Sequence, residues 1–230
     1  MDNEFYTKFS FEGGDLFYVE LSIISFRNYL NLVENNFESQ KKILLEKYNE
    51  HYKQYDDSNN FDSFLHRTND QLYELEQEFI QRFRQSILIQ TFSYVENELR
   101  SICTAHSSAT GSIYSVNDLK GSSDLDKIKK YLLKSMNIEI SKFIDWQFIN
   151  SLRILRNKIV HENSTIQISD NDYRNLSSFS TNRFQLKSNN PNPTFYNIKF
   201  ESKDFIEECL IIIEKFIKDV MFEYKPISNK

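Results

Sequence analysis

Apolar residues recur at steps of three and four along two long stretches of this chain. In the first, Leu16, Val19, Ile23, Phe26, Leu30, Val33, Phe37, Leu44 and Tyr48 follow the Gly13-Gly14 pair. In the second, Leu72, Leu75, Phe79, Phe83, Ile87, Leu88, Phe92, Val95, Leu99 and Ile102 follow a polar break at Asp56–Asn60. Such steps place each set on one face of a helix. The pattern predicts helices over about 15–52 and 64–106, the second capped by Asp62 or Ser63, joined as an antiparallel hairpin with an apolar seam.

Residues 107–123 (SSATGSIYSVNDLKGSS) are hydroxyl-rich, hold two of the four glycines, and predict a loop. A basic helix over about 124–136 follows. Next comes a helix over 142–162, with Ser141 as its N-cap and Phe143, Trp146, Phe148, Ile149, Leu152, Leu155 and Ile159 as its buried stripe. The polar stretch 163–200 carries β-prone pieces at Thr165–Ile168, Arg183–Leu186 and Phe195–Phe200, which predict a two- or three-stranded flap. Lys203–Tyr224 is a final amphipathic helix, stopped before Pro226. The expected fold is all-α: a helical bundle on a long hairpin, with a small β-prone insert after the fourth helix, in one domain spanning residues 1–230.

Composition agrees. With 40% hydrophobic residues the chain has enough material for one packed core, and only 4 Gly and 3 Pro leave few turns for an all-β or doubly wound fold. Cys103 and Cys209 lie in apolar helical runs without metal-ligand spacing and are expected as buried free thiols of a reducing, cytoplasmic compartment. The first residues lack the pattern of a signal peptide. The longest apolar run, around Leu210–Ile213, is too short to cross a bilayer, so no membrane partner is expected.

The net charge of −5 argues against a general nucleic-acid binder, but it averages over segments of opposite sign. Residues 1–100 carry ten basic and eighteen acidic side chains, whereas 120–160 carry nine basic and four acidic ones. The positive stretch runs into Arg156-Asn157-Lys158-Ile159-Val160-His161, where a guanidinium and an imidazole stand five positions apart near the end of a helix. An imidazole titrates near neutral pH and moves protons. A guanidinium is always charged and matches the oxygens of a phosphate. Arg153, Asn157 and His161 follow each other at i, i+4 and share one face, so Asn157 is placed to orient the imidazole or meet a substrate. Arg153 and Lys158 are further candidates for phosphate contact. Arg156 and His161 are about 140° apart on an ideal helix, so a long side chain, an unwound last turn or a second protomer must bring them together. No Cys/His or Asp/Glu set has metal spacing and no glycine-rich phosphate loop is present, so neither metal nor cofactor is expected.

The long hairpin, the Phe92–Leu99 stretch (FSYVENEL) in its second helix and the Arg-Asn-x-x-x-His motif ending a later helix resemble the HEPN superfamily, small helical proteins that include many RNases of phage-defence and toxin–antitoxin systems. The resemblance spans roughly residues 15–162 and the last helix. It implies a metal-independent endoribonuclease acting as a homodimer, with the RNA 2′-hydroxyl attacking the adjacent phosphate to leave 2′,3′-cyclic phosphate and 5′-hydroxyl ends. In that scheme His161 moves the proton and Arg156 holds the charge that grows on the phosphate. The family often supports its motif with an acidic residue on the preceding hairpin helix. Here Glu96 and Glu98 both flank the Val95–Leu99 stripe, and Glu96 is preferred.

One departure is visible. Some toxin–antitoxin members carry a modifiable tyrosine two residues after the histidine, where this chain has Asn163. A cellular RNase needs restraint, which leaves room for a separate antitoxin or sensor partner that the sequence does not identify. The flap at 163–200, next to the motif, is the expected seat of specificity. The rival reading is a catalytically inactive HEPN-like interaction or antitoxin module, in which Arg156 and His161 are structural or merely touch RNA.

Overall fold

The computed structural model describes residues 13–54 and 59–224. Helix α1 spans Gly13–Gln54. A second helical rod follows, composed of α2 (Asn59–Tyr73), a π-helical segment (Glu74–Phe79) and α3 (Ile80–Thr110). Contacts between the rods run in opposite senses along the chain. Phe26 meets Tyr94, Tyr29 meets Phe83, Glu34 pairs with Arg84 and Lys41 pairs with Glu76, so the two form the expected antiparallel hairpin.

The π segment changes which residues reach the seam. Phe79, expected in the stripe four positions after Leu75, is 54% exposed, and Ile80 is buried instead. The reason is local: the Ile80 amide donates to the Leu75 carbonyl, five residues back, and this wider turn stacks Ile80 below Leu75 and swings Phe79 outward.

Beyond the rod, α4 spans Asp124–Met136, the expected bounds. Its N-cap Ser123 accepts the Asp126 amide, and Asn137, at φ 56°, ends it in the left-handed region. Helix α5 (Trp146–His161) begins later than expected. Ser141 is not its cap, because it lies in a separate 3-10 turn, Ile140–Lys142, and Phe143 is extended at ψ 141°, which breaks the helical path. Asp145 precedes α5 without a side-chain capping bond, and its carboxylate pairs with Lys215.

The last helix, α7 (Asp204–Glu223), packs against both α1 and α3, and α3 in turn carries α4 and α5. The core lies among these helices: Leu88, Phe92, Val95 and Leu99 of α3, Ile128 and Tyr131 of α4, Leu152 and Leu155 of α5, and Leu210, Ile213 and Phe216 of α7 are all buried. Cys103 and Cys209 are free thiols inside it.

Residues 163–200 form a small three-stranded antiparallel sheet, β1 (Thr165–Gln167), β2 (Gln185–Lys187) and β3 (Phe195–Lys199), in the order β1-β3-β2. The sheet includes a short helix that the sequence did not announce, α6 (Tyr173–Phe179), between β1 and β2. In β3, Ile198 faces the core while Phe195, Asn197 and Lys199 take the other face, as the strand period requires. A buried polar latch fixes the sheet to the rods. Arg84 donates twice to Glu34, at 2.7 Å each, and once to the Phe200 carbonyl at 2.8 Å; Gln81 bonds both the carbonyl and the amide of Phe200. The whole is a mostly helical fold with a small β insert. Among the described residues no helix is long and apolar enough to cross a membrane.

Candidate functional site

Helix α5 packs on α3 through Ile149, Leu152, Leu155 and Ile159, which turns Asn150, Arg153, Asn157 and His161 toward its open side. Arg156 sits at the flank of that face, half-buried. Its Nη1 donates to the Asn157 side-chain oxygen at 3.2 Å, and its Nε is buried with no hydrogen-bond partner. Such an orphaned donor on a fixed cation is costly to leave unmade. Arg153 donates only to Asn150, at 3.2 and 3.3 Å. Neither guanidinium forms an ion pair among the described residues.

His161 occupies the last turn of α5, exposed, at the end where carbonyl dipoles favour a cation. The chain then reverses within two residues, because Asn163 and Ser164 both take positive φ, 50° and 60°. Bonds from the Ser164 amide to the Lys158 carbonyl and from the Thr165 amide to the Glu162 carbonyl hold this reversal. The Ile198 amide donates to the Ser164 carbonyl, so the turn that follows His161 is tied directly to β3.

Glu96 and Glu98 have different surroundings. Burial pushes the Glu96 carboxyl above its ordinary value, while Arg156, Arg100 and Arg153 pull it back and Asp124 adds to the rise. Glu98 is raised by burial alone. Of the two, Glu96 is the one that feels the charges of Arg100, Arg153 and Arg156, while no arginine acts on Glu98. Arg100 was not singled out in the sequence. It pairs with Asp124 at 3.2 Å and donates to Asn117 at 2.9 Å, and its position four residues after Glu96 on one helix was the available signal.

Lys158 is placed differently from the other motif residues. Its side chain is 8% exposed, and its ammonium bonds Glu162 at 2.7 Å and Asp170 at 3.0 Å. Burial would push its pKa down, but these two carboxylates outweigh that and hold it above the usual lysine value. Lys158 pins the flap to α5 and is not open to a phosphate.

The arrangement thus offers an exposed imidazole, an Arg156 with an unused donor, a second arginine and an asparagine along one side of α5, backed by Glu96. No family model, curated protein or solved structure matches this chain. Among the described residues no group of three His, Cys, Asp or Glu side chains converges as a metal site.

Beside the end of α5 a cleft of about 820 Å³ separates the α2–α3 rod from the outer face of the sheet, with Ile159, Asn163 and Ser164 at its floor. Its sheet wall, with Lys187, Asn197 and Lys199, belongs to the flap expected to carry specificity, whereas its helical wall, from Tyr73 to Ile89, was not singled out in the sequence.

Proposed function

We propose that this chain is a HEPN-type, metal-independent endoribonuclease that works in the cytosol as a defence or toxin effector. The observation that carries the reading is Arg156. It is a half-buried guanidinium with an unmade donor, on the same helix turns as an exposed histidine and beside an acid. In this scheme His161 takes the proton from a 2′-hydroxyl or gives one to the leaving 5′-oxygen. Arg156 and Arg153 neutralise the phosphorane, and Asn157 holds the Arg156 fork in place.

The test uses labelled total RNA in excess EDTA. Wild-type protein should leave 2′,3′-cyclic phosphate ends, and His161→Ala should lower the rate about 10²–10⁴-fold, the usual worth of a general acid or base. His161 is exposed, so that variant should unfold at the wild-type temperature. If wild type and variant cut at the same rate, or neither cuts, the nuclease reading is lost.

A second reading, an interaction module, is favoured by the exposed apolar side chains of α1, several of which border a groove with Gln90 and Tyr94 of α3. Tyr18 is 68% exposed and Leu32 70%, with Phe17, Leu21, Ile24 and Tyr29 exposed between and beside them. Large apolar side chains exposed this close together suit a contact surface. A homodimer, part of the nuclease reading, and docking of an antitoxin or sensor protein would both use it.

A further inference from the structure

The cleft between the rod and the sheet has a chemistry of its own. Its helical wall presents Tyr73, Gln77 and Gln85, its sheet wall Asn197 and Lys199, and Asn163 stands at the turn just after His161. These carboxamides are not used up in the fold's own polar latch, which takes only Gln81. A carboxamide offers a donor and an acceptor side by side, the pattern that the edge of a nucleobase presents in return.

The charges point the same way. Lys187 and Lys199 from the sheet and Arg82 from α3 line the cleft with the acid Glu78, and a second acid, Glu201, pairs with Lys187, so three cations stand against two acids. The ion pairs there, Arg82 with Glu78 and Lys187 with Glu201, lie at the surface, where such pairs are weak and yield readily to a phosphate. Tyr73, 63% exposed, stands at one end of the cleft. Phe195, 50% exposed, stands on the outer face of β3, two residues from Asn197. Exposed aromatic rings flanking a basic groove are how single-stranded nucleic acid is held, by stacking, without a base-paired partner. An acidic peptide would engage the cations but leave the amides and rings unused. A volume near 820 Å³ lies within the range of clefts that enclose a ligand.

We infer that this cleft seats a short single-stranded RNA segment, its bases against Tyr73 and the carboxamides and its phosphates against Lys187 and Lys199. The inference deepens the nuclease reading and rests on it for the choice of RNA. Because Asn163 belongs to both the cleft and the turn after His161, a strand leaving the cleft there passes directly to α5.

The experiment separates the two ideas by measuring binding in a protein that cannot cut. His161→Ala protein is titrated against a fluorescein-labelled single-stranded RNA of about 12 nucleotides, within the span of known single-strand sites. The titration is repeated with Lys187→Ala/Lys199→Ala, Asn197→Ala and Tyr73→Ala added in turn. The expected result is at least a tenfold loss of affinity for the double lysine variant with a shallower salt dependence, and a smaller, salt-independent loss for Asn197→Ala and Tyr73→Ala. All four side chains are at the surface, and matched thermal unfolding confirms that the fold is kept. Cleft-dependent binding in a protein whose wild type never cuts upholds the cleft and removes the nuclease. Affinity that is unchanged by these substitutions, absent altogether, or surpassed by polyglutamate overturns the cleft, whatever the protein cuts.

Discussion

Lys158 of α5 donates to Asp170 of the flap at 3.0 Å, from a side chain that is 8% exposed, three residues before the histidine of the motif. The same Asp170 oxygen accepts the Gln167 amide at 3.0 Å, so one carboxylate joins the end of the helix to the start of the sheet. Lys158→Met should release that junction. Hydrogen bonds to charged groups are worth about 1.5–3 kcal/mol, and a loss of that size should appear in urea unfolding. Amides of β1 and β3 should exchange faster while those of α3 hold. Lys158 lowers the Asp170 pKa below 3.8, so this contribution is complete above that value and fades as pH falls through the depressed one. Uniform exchange in wild type and variant would contradict the role.

Glu96 gives a prediction of opposite sign. Its folded-state pKa lies above the ordinary 4.5, chiefly through burial, so ionising it opposes folding, and stability is lost as pH rises from 4.5 through the raised value. Glu96→Gln should therefore be at least as stable as wild type at neutral pH and should flatten the fall of unfolding temperature as pH rises above 4.5. Under the nuclease reading the same change should slow RNA cleavage, because Arg156 loses its acidic neighbour. A variant that is both less stable at neutral pH and fully active would count against this placement.

The Arg84–Glu34 pair is almost fully buried, with 8% exposure on each side chain. Removing one partner strands a charge in the core. Glu34→Ala should cost about 3–5 kcal/mol in equilibrium unfolding, whereas exposed pairs such as Arg82–Glu78 should contribute under about 1 kcal/mol. A loss at Glu34 no larger than that of Arg82→Ala would show the latch to be wet.

The α1 face is tested by charge. Leu21→Glu/Leu32→Glu should convert any dimer to monomer in sedimentation velocity with little change in unfolding temperature, since both residues are exposed. A monomeric wild type would leave the face without a self-partner.

Long elements were legible in the sequence because their apolar period repeats many times: α1, α3, α4 and α7 follow the stripes within a few residues. What escaped has physical causes. Helix α6 has seven residues, with only Leu176 and Phe179 buried, so no period can build up. The displacement of Phe79 by Ile80 comes from a hydrogen-bond register that composition does not encode. At the site, the common face of Arg153, Asn157 and His161 follows from i, i+4 spacing, and it is visible on the open side of α5. Lys158 does not belong with it, because its partner Asp170 lies twelve positions away in an irregular turn. The choice of Glu96 over Glu98 likewise needed the approach of α5 to α3, which no single-helix projection contains.

The π turn at Glu74–Phe79 also acts as a one-residue gear between two rows of side chains. The cleft's helical wall straddles it: Tyr73 and Gln77 line the cleft upstream of and within the segment, and Gln81, Arg82 and Gln85 line it downstream. Deleting a single residue from this segment would rotate the upstream part of the rod by about 100° against α3, so that Tyr73 and Gln77 would turn away from the wall that Gln81 and Gln85 make. The continuity of the cleft's helical wall is thus carried by a single added residue in the rod.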